Sequence, residues 1–424
     1  MQWDTGNIAF MLVSTSLVML MTPGLAFFYG GLVGRKNVLT IMTQSFVSMG
    51  VTTVLWVVCG YTMCFSGSYH SATNPDILGI IGNFHLAFFS GIDPTTPFPG
   101  SPTIPMIVFV AYQMMFAQIT PALITGAFAN RVTFKAYLVF LVAWLLLVYF
   151  PIAHMVWGGG ILQSHGVLDF AGGIVVHCTA GFAALAAVFY VGKRRVQEAG
   201  LHSVPLVALG TGLLWFGWYG FNAGSELKVD PVTSLAFLNT DVAASFAAIT
   251  WLVLAWIYER KPKFVGLLTG SIAGLAAVTP AAGYVSTATA ILIGIVSSVV
   301  CYYAISLKNT MQWDDALDVW GVHGVGGVVG VIALGTFAFK AMNPAGGADG
   351  LVHGDASFFF KEVGSVAGTA LYAFAFTYGM LAVINLITPV KVSAADEEAG
   401  LDESLHGERA YVLEEAVIVA SGRI

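Results

Sequence analysis

The sequence predicts an all-α polytopic membrane protein of eleven spans. Spans one to five form an inverted repeat with spans six to ten, and an eleventh is added. Three observations predict it. Of 424 residues, 57% are hydrophobic and only 9% charged, and mean hydropathy is +0.81; soluble domains carry about 25% charged residues. Apolar runs of about 20 residues recur along the chain, the length that crosses a bilayer as a helix and not the alternating ten-residue strands of a barrel. Two stretches echo each other, Asp169–Leu185 and Asp318–Gly330. Each sets an Asp, then Val-His, then small residues, in a segment that otherwise reads as membrane. Ionisable residues in hydrocarbon are costly and mark function.

The first span (about 8–32) is followed by Arg35 and Lys36, and the second is about 38–66. The third (about 104–128) precedes Arg131 and Lys135. The fourth is about 133–157, and the fifth (about 170–191) runs into Lys193, Arg194 and Arg195. The sixth is about 204–223, and the seventh (about 236–258) ends at Arg260, Lys261 and Lys263. The eighth is about 264–283, the ninth (about 285–306) leads to Lys308, the tenth is about 319–338, and the eleventh (about 363–388) leads to Lys391. The other side carries Lys228, Lys340 and Lys361. Lysine and arginine collect in cytoplasmic connections, so the N-terminus is expected outside and the C-terminus in the cytoplasm. The connection 67–103 has no Lys or Arg and reads as an outer linker. No basic region precedes the first apolar run, which is taken as a true span. The membrane domain is expected over 1–390, with a cytoplasmic tail over 391–424.

The repeat makes His177 and His323 the central residues. Helices that enter from opposite faces would bring both to the interior, where transporters of this design hold their site. Asp169 precedes its histidine by roughly 12 Å of helix and Asp318 by roughly 7.5 Å. Two neutral imidazoles can share one N–H···N bond and keep their outer nitrogens for a small polar solute. Haem ligation is the rival use, but Ala180, Gly181, Gly324, Gly326 and Gly327 argue for close helix approach. Asp318 is expected to cap the tenth span. Asp169 either caps the fifth or orients the outer mouth electrostatically. Phe116, Trp157, Trp215, Trp218, Tyr219 and Phe221 lie near outer helix ends. They read as an interfacial belt or as a cage for a cation, with Ser225 as an added oxygen acceptor. The cysteines (Cys59, Cys64, Cys178, Cys301) lack metal-ligand spacing. Neither a catalytic motif nor a nucleic-acid stripe is found, so no enzyme activity, cofactor or nucleic-acid partner is expected.

Four runs carry a family resemblance: P-I-A-H-M-V-W-G-G-G-I-L (151–162), H-G-V-L-D-F-A-G-G-I-V-V-H (165–177), W-F-G-W-Y-G-F-N-A-G-S (215–225) and D-V-W-G-V-H-G-V-G-G (318–327). They resemble the ammonium transporter (Amt/Mep/Rh) family, in its Amt branch. The resemblance implies an outer ammonium recruitment site at Phe116, Trp157 and Ser225, and a gate of stacked rings at Phe116 and Phe221. It implies a narrow apolar pore lined by His177 and His323, with Asp169 in support. It further implies a homotrimer in the plasma (inner) membrane, one pore per subunit. The tail run G-L-D-E-S-L-H-G-E-R-A-Y (400–411) resembles the segment that couples subunits and meets PII-type nitrogen signalling proteins. Read from composition alone, its acidic residues suggest a solvated, mobile segment. A sensor that signals through this tail is the alternative function.

Overall fold

The computed structural model describes residues 3–196 and 200–411; the run after Tyr411 lies outside the described residues. The helices are α1 (Thr5–Leu32), α2 (Val38–Leu55, continued by a π turn at Trp56–Gly60 and by Tyr61–Phe65), and α3 (Met106–Ile124). Helix α4 comprises Phe134–Trp144, a π turn at Leu145–Tyr149 and Phe150–Trp157. Helix α5 opens with a π turn at Gly173–Cys178 and runs on through Thr179–Val191. Then come α6 (Val204–Ala223), α7 (Pro231–Glu259), α8 (Phe264–Val278) and α9 (Thr287–Thr310). Helix α10 opens with a π turn at Trp320–Gly324 and continues through Val325–Phe337, and α11 is Ala356–Ile387. Among the described residues ten helices are long and apolar enough to span, and α8 is a shorter apolar helix.

The ends follow from local chemistry. Helix α8 stops at Val278, where Pro280 has no N–H to continue the hydrogen-bond ladder, although Thr279 still has helical dihedrals; the expected span to 283 finishes as buried turns instead. Helix α7 starts earlier than expected, since the Asp230 carboxylate accepts from Val232 N and Thr233 N, and Asp230 N donates to Thr233 Oγ1. Helix α11 also starts earlier, with Asp355 accepting from Phe358 N. Its charged stretch hides Glu362 entirely, and that carboxylate accepts from Leu168 N.

The two halves interlock by equivalent contacts. Phe170 N, ahead of α5, donates to Pro280 O in the turns after α8 (3.1 Å). Ala316 N, ahead of α10, donates to Ala127 O in the turns after α3 (3.3 Å). Helices α1 and α6 meet so closely that a Cβ on Gly210 would lie 2.3 Å from Phe28 N. We call the side of Asp4 and the 67–103 connection the N-terminal face; Asp4 N donates there to Thr103 O. The connection holds a short antiparallel pair, β1 (Pro97–Phe98) and β2 (Ser101–Pro105). Buried His154 of α4 pins it, one ring nitrogen on Asp76 (3.0 Å) and the other on Cys64 O (2.8 Å).

On the opposite, C-terminal face the tail is folded onto the bundle; two of its six acids are buried, while Glu398, Glu403 and Glu408 stay in solvent as expected. Helices α12 (Ala394–Ala399) and α13 (Leu401–His406) bury Glu397 and Asp402. The Asp402 carboxylate accepts from Leu39 N, Thr40 N and Thr40 Oγ1, and so caps α2 from a distant part of the chain. Glu397 accepts from Arg195 N and Val196 N.

Candidate functional site

The site lies where α5 and α10 cross. A Cβ on Gly181 would lie 2.1 Å from Gly324 Cα, so the backbones touch at a point only glycine permits. That approach sets His177 against His323, with Nδ1···Nδ1 at 3.3 Å and ring planes 17° apart. One Nδ1 donates and the other accepts, which assigns the two rings opposite tautomers. Both rings are buried, and His177 Nε2 has no hydrogen-bond partner among the described residues. His177 lines a cavity of about 10 Å³ together with Met21, Leu25, Ile119, Leu214 and Trp218 among others. This is space for about one water-sized molecule. Trp218 stacks over His177 at 5.5 Å.

Toward the N-terminal face the cavity is lined by Phe221, and the ring of Phe116 packs against Phe221 with centroids 4.3 Å apart. Trp157 meets Phe116 edge-on at 5.9 Å. Phe116, Phe221 and Trp218 are buried, so the belt reading fails for these three. The Trp157 indole N–H donates to Asp169 O, which leaves its ring face free of that duty. Ser225 Oγ donates to Phe221 O and sits 3.3 Å from Tyr112 Oη. The Tyr112 hydrogen goes to Gly220 O or Phe221 O, so the Ser225 lone pairs remain available as acceptors. Tyr112, whose ring lies 5.0 Å from Phe116, joins these residues, and no sequence motif singles it out.

Asp169 is a cap. Its two oxygens accept from Gly172 N, Gly173 N, Ile174 N and Val175 N at 2.7–3.0 Å. All four orphan donors of a helix start are satisfied by one side chain. Asp318, expected to cap α10, does not. Asp315 does, accepting from Val319 N (3.1 Å) and Trp320 N (2.8 Å). Asp318 has a left-handed backbone (φ +59) and pairs with Lys308 Nζ at 2.6 Å. The reason is spacing: Asp315 precedes His323 by eight residues, as Asp169 precedes His177. Equal spacing is the signal that identifies the true counterpart. The acid nearer the histidine falls on the strained turn before the helix.

The profile of the Ammonium Transporter Family matches residues 9–411. An ammonium transporter of Bacillus subtilis is 44% identical over 408 residues, covering 96% of this chain and 98% of that protein. The crystal structure of Candida albicans Mep2 superposes with a TM-score of 0.85 at 34% identity, covering 93% of this chain and 88% of that one. A structure named Sensor Amt Protein superposes with a TM-score of 0.84 at 27% identity, covering 94% and 98%.

Proposed function

We propose that this chain, which belongs to the Ammonium Transporter Family, carries ammonium across the membrane by admitting the cation, removing a proton and passing ammonia. The observation that supports this best is the histidine pair at 3.3 Å in a narrow apolar file beside two packed phenyl rings. Moving a small cation into a low-dielectric interior costs on the order of 20 kcal/mol before relaxation. Deprotonating ammonium near neutral pH opposes about two pKa units, or roughly 3 kcal/mol. The second path is far cheaper, and it rejects potassium, which has no proton to lose.

In this reading Phe116, Trp157 and Ser225 recruit the cation on the N-terminal face. Ring faces replace part of its water, and Ser225 offers an oxygen. Phe116 and Phe221 gate the file, and His177 and His323 line it. Asp169 and Asp318 support it from the helix starts, Asp169 by holding α5 in place. The distribution of Lys and Arg supports an outer N-terminal face. The protein acts as a homotrimer in the plasma membrane, with residues 391–424 as a regulatory tail that meets a PII-type protein. It is a transporter and not an enzyme.

The test is current on a supported membrane after an ammonium jump, with a potassium jump as control. A saturable ammonium current without a potassium response supports electrogenic transport. Lumenal alkalinisation without current means net ammonia conduction. Neither signal, with ammonium binding retained, selects a sensor, the role for which one structural relative is named.

A further inference from the structure

We propose that Lys308 and Asp318 form a cation lock at the C-terminal exit of the pore. The tethered ammonium group of Lys308 occupies the place that an emerging ammonium ion would take on Asp318. The inference rests on the transport reading above, adds Lys308 to it, and gives Asp318, there only a supporting residue, a specific task.

Two cavities meet at Asp318. One, of about 160 Å³, runs down from His323 past Val322 and Leu317 and has a mixed lining that includes Thr269. The other, of about 480 Å³, opens among Lys193, Arg194, Lys308, Gln312 and Asp314. Ala316 and Asp318 line both, so they form the wall between pore exit and open face. The carboxylates around this wall differ in their partners. Asp314 is held by Arg194 (2.7 Å) and by the buried Arg131 (3.5 Å). Asp315 is occupied by the two α10 amides. Asp318 faces Lys308, and its side chain remains 35% exposed.

Lys308 is itself 6% exposed. Its Nζ donates to Asp315 O (3.0 Å) and to Asp318 Oδ1 (2.6 Å). A primary ammonium held by one carbonyl and one carboxylate is the environment a free ammonium ion seeks on leaving the pore. Ammonia that passes His323 regains a proton in the vestibule. An unpaired carboxylate at that point would retain the resulting cation and slow the next turnover. Lys308 holds the position permanently, on a side chain that cannot leave. The left-handed backbone at Asp318 is uncommon outside glycine, and it turns the carboxylate to Lys308 on α9.

The test uses the full chain in proteoliposomes with the C-terminal face inward. They are preloaded with ammonium chloride or potassium chloride at equal ionic strength. Inward flux is measured after an external ammonium jump, corrected for the driving force. In Lys308→Met and Lys308→Gln, lumenal ammonium should depress maximal flux by at least about fivefold relative to wild type, the lower end of what one ion pair contributes. External half-saturation should stay within about twofold, because the recruitment residues are on the other face. Adding Asp318→Asn to either variant should abolish the lumenal effect. Lys308→Gln keeps donors for both oxygens and guards against misfolding in the Met variant. A Lys308→Gln protein that melts like wild type and shows no extra lumenal sensitivity overturns the proposal. So does inhibition that persists in the double variant. Wild-type protein with no ammonium flux at all defeats the transport reading instead.

Discussion

His177 and His323 share one hydrogen bond, so each depends on the other for its tautomer. Positioned proton transfer contributes about 10²-fold or more to a rate. His177→Ala with His323→Ala should therefore cut maximal ammonium flux by about a hundredfold or admit potassium. Unchanged flux with potassium still excluded would remove both residues from the mechanism. Asp315 offers a second test. Burial first, and the Asp318 charge second, push its carboxyl up to about 6, against the Lys308 cation and two amides. The folded protein then holds this proton more tightly than the unfolded chain, whose Asp titrates near 3.9. The stabilisation is full below about pH 4 and is lost as pH rises through about 6. The Tm of wild type minus that of Asp315→Asn should fall from pH 5 to pH 7; a flat difference would contradict the assignment.

Helices α5 and α10 are built for contact. Each begins with a π turn, each is capped by an Asp eight residues before its histidine, and they cross at Gly181 and Gly324. Gly181→Ala would press a methyl group against Gly324 Cα. Overpacking of this kind costs about 1–3 kcal/mol or more. Flux should fall while ammonium binding at the N-terminal face persists, and flux equal to wild type would show that the crossing relaxes freely. Both histidines are legible in sequence from their repeated setting. Asp315 is marked only by the eight-residue spacing to its histidine that it shares with Asp169, and the run D-D-A-L-D, with three acids and Asp318 nearer the histidine, masks that signal.

The tail is tied to the C-terminal face of the bundle at the start of α2 and at the connection after α5. Asp402 satisfies two amides and a hydroxyl at the start of α2, and Leu401 N donates to Asn37 Oδ1. Loss of a cap costs about 1 kcal/mol, and hydrogen bonds to a charged group contribute about 1.5–3 kcal/mol each. Asp402→Ala should therefore free α12 and α13, which limited proteolysis between α11 and Tyr411 would detect as faster cleavage. Cleavage at the wild-type rate would mean that other contacts hold the tail. Composition makes this segment look solvated because six acids stand close together in sequence. Helix α2 and the connection after α5 supply the amides that bury two of them, and those partners are hundreds of residues away.

The span pattern, the repeat and the family are all legible in the chain itself. Hydrocarbon requires each backbone group to be satisfied within its own helix, so length and apolarity are written locally. The motifs carrying His177, His323, Phe221, Trp157 and Ser225 are likewise continuous runs. Tertiary structure alone decided the rest: that Tyr112 links Ser225 to Phe116, that Asp402 caps α2, and that Lys308 reaches Asp318. These pairings join separate turns and helices, and whether an acid caps a helix or meets a cation depends on which donors packing brings within 3 Å, a distance that sequence spacing does not encode.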